Sequence, residues 1–125
     1  MHVCIQWIIF YKQFLNIIDK AISVGEGSHV KVSSCKIENV SFGVVSKDLS
    51  TTEVFNNSEI KKANTAAFAA FQKKSSFGPA SISVMDTNIL ESKKVFLIQE
   101  NSTGLLNSTR VPTKSFPSSE LYKLK

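Results

Sequence analysis

The sequence predicts a small α+β domain: one antiparallel sheet with two helices packed on one face, in the order α-β-β-β-α, followed by two further short strands. Three observations point there. Two long segments, Trp7 to Ile22 and Asn56 to Lys74, carry apolar residues at helical spacing. Between them lie short runs in which apolar residues alternate. Glycine and proline signals, "GEG" and "FGP", close the two periodic segments.

The first helix is expected over Trp7 to Ile22. At 100° per residue, Trp7, Ile8, Phe10, Tyr11, Phe14, Leu15, Ile17, Ile18, Ala21 and Ile22 form one broad apolar half. Lys12, Gln13, Asn16, Asp19 and Lys20 form the other. An arc that wide fits a helix laid on a sheet. Gly25 and Gly27 end it. Three strands follow at 29–37, 40–47 and 50–55, carried by Val30 and Val32, by Val40, Phe42 and Val44, and by Val54 with Phe55. The turn-like segments "KIEN" and "SKDLS" separate them.

The second helix opens with Asn56 as its N-cap. Glu59 stands where a carboxylate returns to the cap, and Phe55 with Ile60 makes a hydrophobic staple. Its apolar face is Ile60, Ala63, Ala67, Phe68, Ala70 and Phe71. Lys73 and Lys74 suit the negative end of the helix dipole, whereas Lys61 and Lys62 are cations in the first turn, where the dipole disfavours them. "ASISVMD" (80–86) and "KKVFLIQ" (93–99) read as two further strands. Residues 1–99 then form a single α+β domain, and the Ser, Thr, Asn and Pro-rich stretch 100–125 is expected as a mostly disordered tail. No internal repeat is read.

The 125 residues are the length of one domain, and a hydrophobic content of 42% suffices for a core. The net charge is +5, and of 15 basic residues only Arg110 is arginine. A lysine surface of this kind suits non-specific attraction to nucleic acid or acidic lipid more than bidentate recognition. The two cysteines, Cys4 and Cys35, form no spaced pair and read as reduced thiols of a cytosolic or nuclear protein. "MHVCIQWIIFYKQ" lacks a basic leader and a small-residue cleavage site, and no uncharged stretch approaches the length of a membrane span. An intracellular location, cytoplasmic or nuclear, is therefore expected. Four Asn-x-Ser/Thr sequons, at Asn39, Asn56, Asn101 and Asn107, arise readily in a chain this rich in serine and threonine.

The sequence offers little chemistry. His2 and His29 are its only histidines, and with Cys4 and Cys35 they lack the spaced pairs that hold zinc. On a strand, His29 and Cys35 would lie about 20 Å apart, too far for proton transfer. No enzyme activity, metal or cofactor is expected.

The order helix, three strands, helix over residues 10–75 resembles the double-stranded RNA-binding domain. "FLN" (Phe14 to Asn16) is similar to a pair in that family's first helix, "GSH" (Gly27 to His29) to its glycine-to-histidine loop, and "KKANTAAFAAF" to its alanine-rich second helix. The resemblance implies that Asn16 and His29 touch minor grooves of structured RNA, while Lys61 and Lys62 bridge phosphates. Ile17, Ile60 and Asn64 stand where the family carries an acidic residue and lysines. Copies lacking those lysines serve as protein-interaction modules. "KANTAAF" is also similar to profilin-like haem-binding domains.

Taken together, the sequence reads as a non-enzymatic binding module. The first expectation is sequence-independent binding of structured RNA through a basic helix N-terminus. The alternative is a protein-interaction or dimerisation module that uses the apolar face of the first segment or the strand after Pro79, and a third is a lineage-specific protein without a conserved activity.

Overall fold

The computed structural model of the chain describes residues 6–123. Its strands lie side by side in successive coils. The first coil is β1 (Gln6–Phe10) and β2 (Gln13–Val24), and the second is β3 (His29–Ser33) and β4 (Lys36–Lys47). The third is β5 (Thr51–Phe55) and β6 (Ser58–Phe71). The fourth splits into β7 (Ser81–Val84), β8 (Thr87–Leu90) and β9 (Phe96–Ile98), and β10 (Thr103–Leu106) and β11 (Thr109–Arg110) end the stack. One sheet has the order β1-β3-β5-β7-β10-β11; the other runs β2-β4-β6-β8, with β9 also on β6. Gln6 lies opposite His29, His29 opposite Thr51, Thr51 opposite Ser81 and Ser81 opposite Thr103. Every pairing between coils is parallel, at steps of 23, 22, 30 and 22 residues. This is the arrangement of a β-solenoid.

The α+β expectation is therefore corrected, and with it the absence of a repeat. Trp7 to Ile22 is β1 and most of β2, and the alanine-rich segment is β6. Among the described residues the one helical element is a 3-10 helix, Ser118–Lys123. The strands expected near 29–37, 40–47 and 50–55 are present as β3, β4 and β5, but they pair in parallel across coils and not as antiparallel neighbours. The resemblance over 10–75 implied two helices, and that fold is not the one observed.

The sequence misleads here for a physical reason. Ala63, Ala66, Ala67, Ala69 and Ala70 are all fully buried, as are Phe68 and Phe71. Ala63, Ala67, Phe68 and Ala70 face the interior. Ala66, Ala69 and Phe71 face outward, beneath Leu121 and Phe116 of the C-terminal segment. A strand covered on both faces loses the polar–apolar alternation that marks a half-buried strand. What remains is an alanine run with high helix propensity, which tertiary packing overrides.

Each coil turns at corners of positive φ. Leu15, Glu38, Lys61 and Leu90 share one lateral row. The next row, Asn16, Asn39, Lys62 and Glu91, has φ of 56°, 57°, 58° and 50°. This row bends β2, β4 and β6 about a third of the way along, so that in the fourth coil the two parts are the separate strands β8 and β9. Tyr11, Ser34, Asn56 and Asp86 turn the chain between the sheets in the same way. Asparagine tolerates this conformation better than other L-residues do. All four sequon asparagines are exposed positive-φ residues, so corner chemistry accounts for them.

Side chains satisfy the corner backbone where water is excluded. The buried Asp48 carboxylate accepts the N–H groups of Lys73 and Lys74, both at 2.8 Å. Ser58 Oγ accepts the Cys35 N–H and donates to the Phe55 carbonyl. Ser46, Ser50 and Thr52 link their hydroxyls in a buried chain that ends on the Val24 carbonyl. These contacts remove the cost of unpaired buried polar groups.

Residues 100–123, expected as a disordered tail, form β10, the hairpin to β11 and the 3-10 helix. Asn107 and Ser108, both at positive φ, make the two-residue turn. Gln99 anchors the segment by donating to the Phe116 carbonyl, and Leu121 is buried on Phe42, Val45 and Ala66. Residues 124 and 125 lie outside the described residues.

Two substitutions test this packing. A Cβ at Gly43 would stand 2.5 Å from the Ala67 carbonyl oxygen and 2.8 Å from Ile60 Cδ1. Gly43→Ala is expected to lower stability by about 2–3 kcal/mol, read from denaturant unfolding. Leu121→Ala should cost about 2–4 kcal/mol by the same measurement. A disordered tail would instead leave stability unchanged.

Candidate interaction surface

The four residues assigned to RNA by resemblance do not converge. Asn16 and Lys62 occupy the same corner row, two coils apart, and the Asn16 amide oxygen accepts from Asn39 Nδ2 at 2.8 Å. Lys61 is on the adjoining row, 3.9 Å from the Glu91 carboxylate. His29 opens β3 on the other sheet, where its Nε2 lies 3.0 Å from a Glu53 carboxylate oxygen. Corner stacking accounts for Asn16 and Lys62, and carboxylates stand against the other two. Lys61 and Lys62 belong to a strand, so the helix dipole expected to oppose them is not there.

One further ion pair stands at a corner. Lys74 meets Glu26 at the corner between the sheets, and its ammonium holds the Glu26 carboxyl below the usual carboxylate range. The same contact raises Lys74. Cys35 is buried, its Sγ 3.5 Å from the Ser33 carbonyl oxygen, while His2 and Cys4 lie outside the described residues. Among the described residues no group of three or more His, Cys, Asp or Glu side chains is placed to hold a metal ion. No helix there is long and apolar enough to cross a membrane. A concavity of about 400 Å³ beside Gln72 and Gln99 is lined by amides that already serve the fold: Gln99 Oε1 accepts the Gln72 N–H.

The unusual surface is the first coil. β1 and β2 are the terminal strands of their sheets, so among the described residues the outer edge of each is unpaired. Ile18 is 89% exposed, Tyr11 78% and Ile8 61%, and Trp7, Phe10 and Leu15 are each more than half exposed. Trp7 is in register with buried Val30, so its exposure comes from the open end above it. Residues of the inward column thus reach solvent only where the stack begins. Within β1 and β2 the ionisable residues are Asp19 and Lys20, which pair with each other at 3.1 Å. Protein edges are usually blunted by lysine, proline or a covering element. β1 carries none of the first two.

No known family model matches this chain, and no curated protein or solved structure shows significant similarity to it.

The sequence had marked Trp7 to Ile22 as one broad apolar face of a helix; of that stretch Trp7, Ile8, Phe10, Tyr11, Leu15 and Ile18 are exposed, whereas Phe14, Ile17 and Ile22 pack into the core. What it missed was the strand edge. The signal available was the β-branched content of "WIIF" and "NIIDKAI", in which isoleucine predominates.

Lys62 supplies a test of the corner. It holds a positive φ in line with two asparagines, a conformation costing an ordinary residue about 1–2 kcal/mol. Lys62→Asn should stabilise the protein by about 0.5–1 kcal/mol, seen as a higher Tm in thermal melts. Lys62→Ala, which retains the strain, should not.

Proposed function

We propose that this chain is a non-enzymatic protein-interaction or dimerisation module that works through the open end of its solenoid. One observation carries the reading: six large apolar side chains and the unpaired edges of both sheets are gathered on a single coil. Unpaired N–H and C=O groups along an edge give affinity by strand addition, and adjacent apolar side chains give specificity. A contiguous exposed apolar surface marks an association site in a folded protein. RNA binding draws no comparable support, because His29 lies on the other sheet from Asn16, Lys61 and Lys62, and each of the four has a structural role or an acidic neighbour.

The test is site-specific photo-crosslinking in the cells that make the protein. A benzophenone amino acid in place of Ile18 should give protein adducts, whether with a second copy or with another protein. The same group in place of the exposed Glu38, one coil away, should give at least fivefold less. Ile8→Lys should suppress the adducts from position 18 without altering the thermal melt. Equal yields from the two positions, or no adduct from either, would refute the reading.

A further inference from the structure

We infer that residues 112–123 form a displaceable strap, which opens as a unit while the solenoid beneath it stays folded. Closed, the strap caps a strand edge and covers an apolar face at the far end of the stack. Open, it releases both together. The inference concerns that end alone and stands apart from the reading of the first coil.

The coils are complete without the strap. Among the described residues, every pairing in the two sheets lies within residues 6–110, so no rung of either ladder is lost when the segment lifts. The interior cluster likewise takes no residue beyond Val111. The Val111 N–H is itself held by the Gly104 carbonyl at 2.9 Å, so the hinge falls at Pro112 and the hairpin stays in place.

Attachment of the strap is local. The Gln99 N–H donates to the Ala70 carbonyl, so this side of the chain at β9 faces the ladder. The other side faces the strap. There the Ile98 carbonyl accepts the Lys114 N–H, and the Glu100 N–H donates to the Lys114 carbonyl, both at 2.9 Å. The Gln99 side-chain amide adds a bond to the Phe116 carbonyl at 2.8 Å. Pro112 and Pro117 have no N–H to contribute. Buried Leu121 and half-buried Phe116 supply the apolar hold on the outer face of β4 and β6. A segment tied at a few backbone positions and two apolar anchors opens at lower free energy than strands tied at every rung.

The consequence lies in what the strap hides. Lifting it frees the outer edge of β9 and uncovers Phe42, Val45, Ala66 and Ala69 at the same time. An unpaired edge beside hydrocarbon is the adhesive form of a sheet. The strap is thus a conformational device that sets whether the far end can associate.

The experiment is native-state hydrogen exchange of the whole chain, followed amide by amide by NMR and corrected for intrinsic rates. The Lys114 and Glu100 amides should exchange about a hundredfold or more faster than those of Gln99 and Phe68, with a weaker dependence on denaturant. Glu100 and Gln99 are neighbours, so their contrast separates strap opening from loss of β9. Val32→Ala, in a buried column shared by the open and closed forms, should speed Gln99 and Phe68 at least tenfold and leave Lys114 and Glu100 unchanged. Ile82→Val, a milder cut in the same core, should give the same pattern at about twofold or more. Leu121→Ala should speed Lys114 and Glu100 at least tenfold. Equal protection of the four amides overturns the inference, as does a core substitution that speeds all four alike, since the strap then leaves only with global unfolding. A Lys114 amide without protection overturns it too, because no closed state would exist. So does exchange at Lys114 and Glu100 that Leu121→Ala leaves untouched.

Discussion

Parallel pairing between successive coils governs this molecule. Outside the β10–β11 hairpin, a straight run here has no hydrogen-bonding partner next to it in sequence, because the strand it pairs with lies 22 to 30 residues away. Each coil must therefore repeat the path of the one before it, about 4.8 Å further along the axis. The interior becomes a set of columns: Val32, Val54 and Val84 form one, and Val30, Thr52, Ile82 and Gly104 another. Corners are bound by the same rule. A residue of positive φ in one coil obliges its successor to adopt the same conformation, and for that reason Lys62 and Glu91 share a geometry that suits Asn16 and Asn39 better. Extra residues can enter only where they leave the stack. The 30-residue step between β5 and β7 does so in the excursion after Phe71, pinned by the Asp48 carboxylate and by the Leu49 N–H on the Gly78 carbonyl.

The coil path alone leaves the outer face of β4 and β6 bare. Phe42, Val45, Ala66 and Ala69 would face water there, and the returning C-terminal segment covers them with Phe116 and Leu121. The second hydrophobic cluster is thus built from residues far apart in the chain, and it makes β6 the most enclosed strand. Small side chains suit that place. Alanine on both faces lets the segment and the interior approach closely, whereas the bulk is supplied by Phe42 of the neighbouring β4 and by Phe68 of β6 itself.

A solenoid that does not close on itself has two ends, and here they differ. The final coil narrows to short strands and a hairpin, so little edge is offered. The first coil keeps both edges at full length and carries apolar residues where inner coils carry Lys31, Glu38 and Lys61. Ile8 lies in the row of Lys31, and Leu15 in the row of Glu38 and Lys61. Along these rows hydrocarbon at the first coil replaces the charge that the inner coils present to solvent.

Several strands were legible from the sequence because they are local facts. The alternation of Val30 and Val32, or of Ile82 and Val84, reports one wet face and one dry face, and needs no knowledge of the partner. The turn signals at "GEG" and "SKDLS" were equally local and correctly placed. The apolar character of Trp7 to Ile22 could also be read, but not its conformation, since isoleucine-rich segments fit a helix stripe or a double-sided strand. Only the tertiary structure decided that β6 is a strand, for its evidence is burial on two faces, by residues such as 44 and 98 inside and 116 and 121 outside, which no short window contains together. It alone separated Asn16 and Lys62 from His29, and it alone exposed the edges of the first coil. Side-chain pattern fixes which face of a strand is dry; which strand lies beside it, and which has none, is set by backbone pairing over 22 residues or more, to which no single residue type is specific.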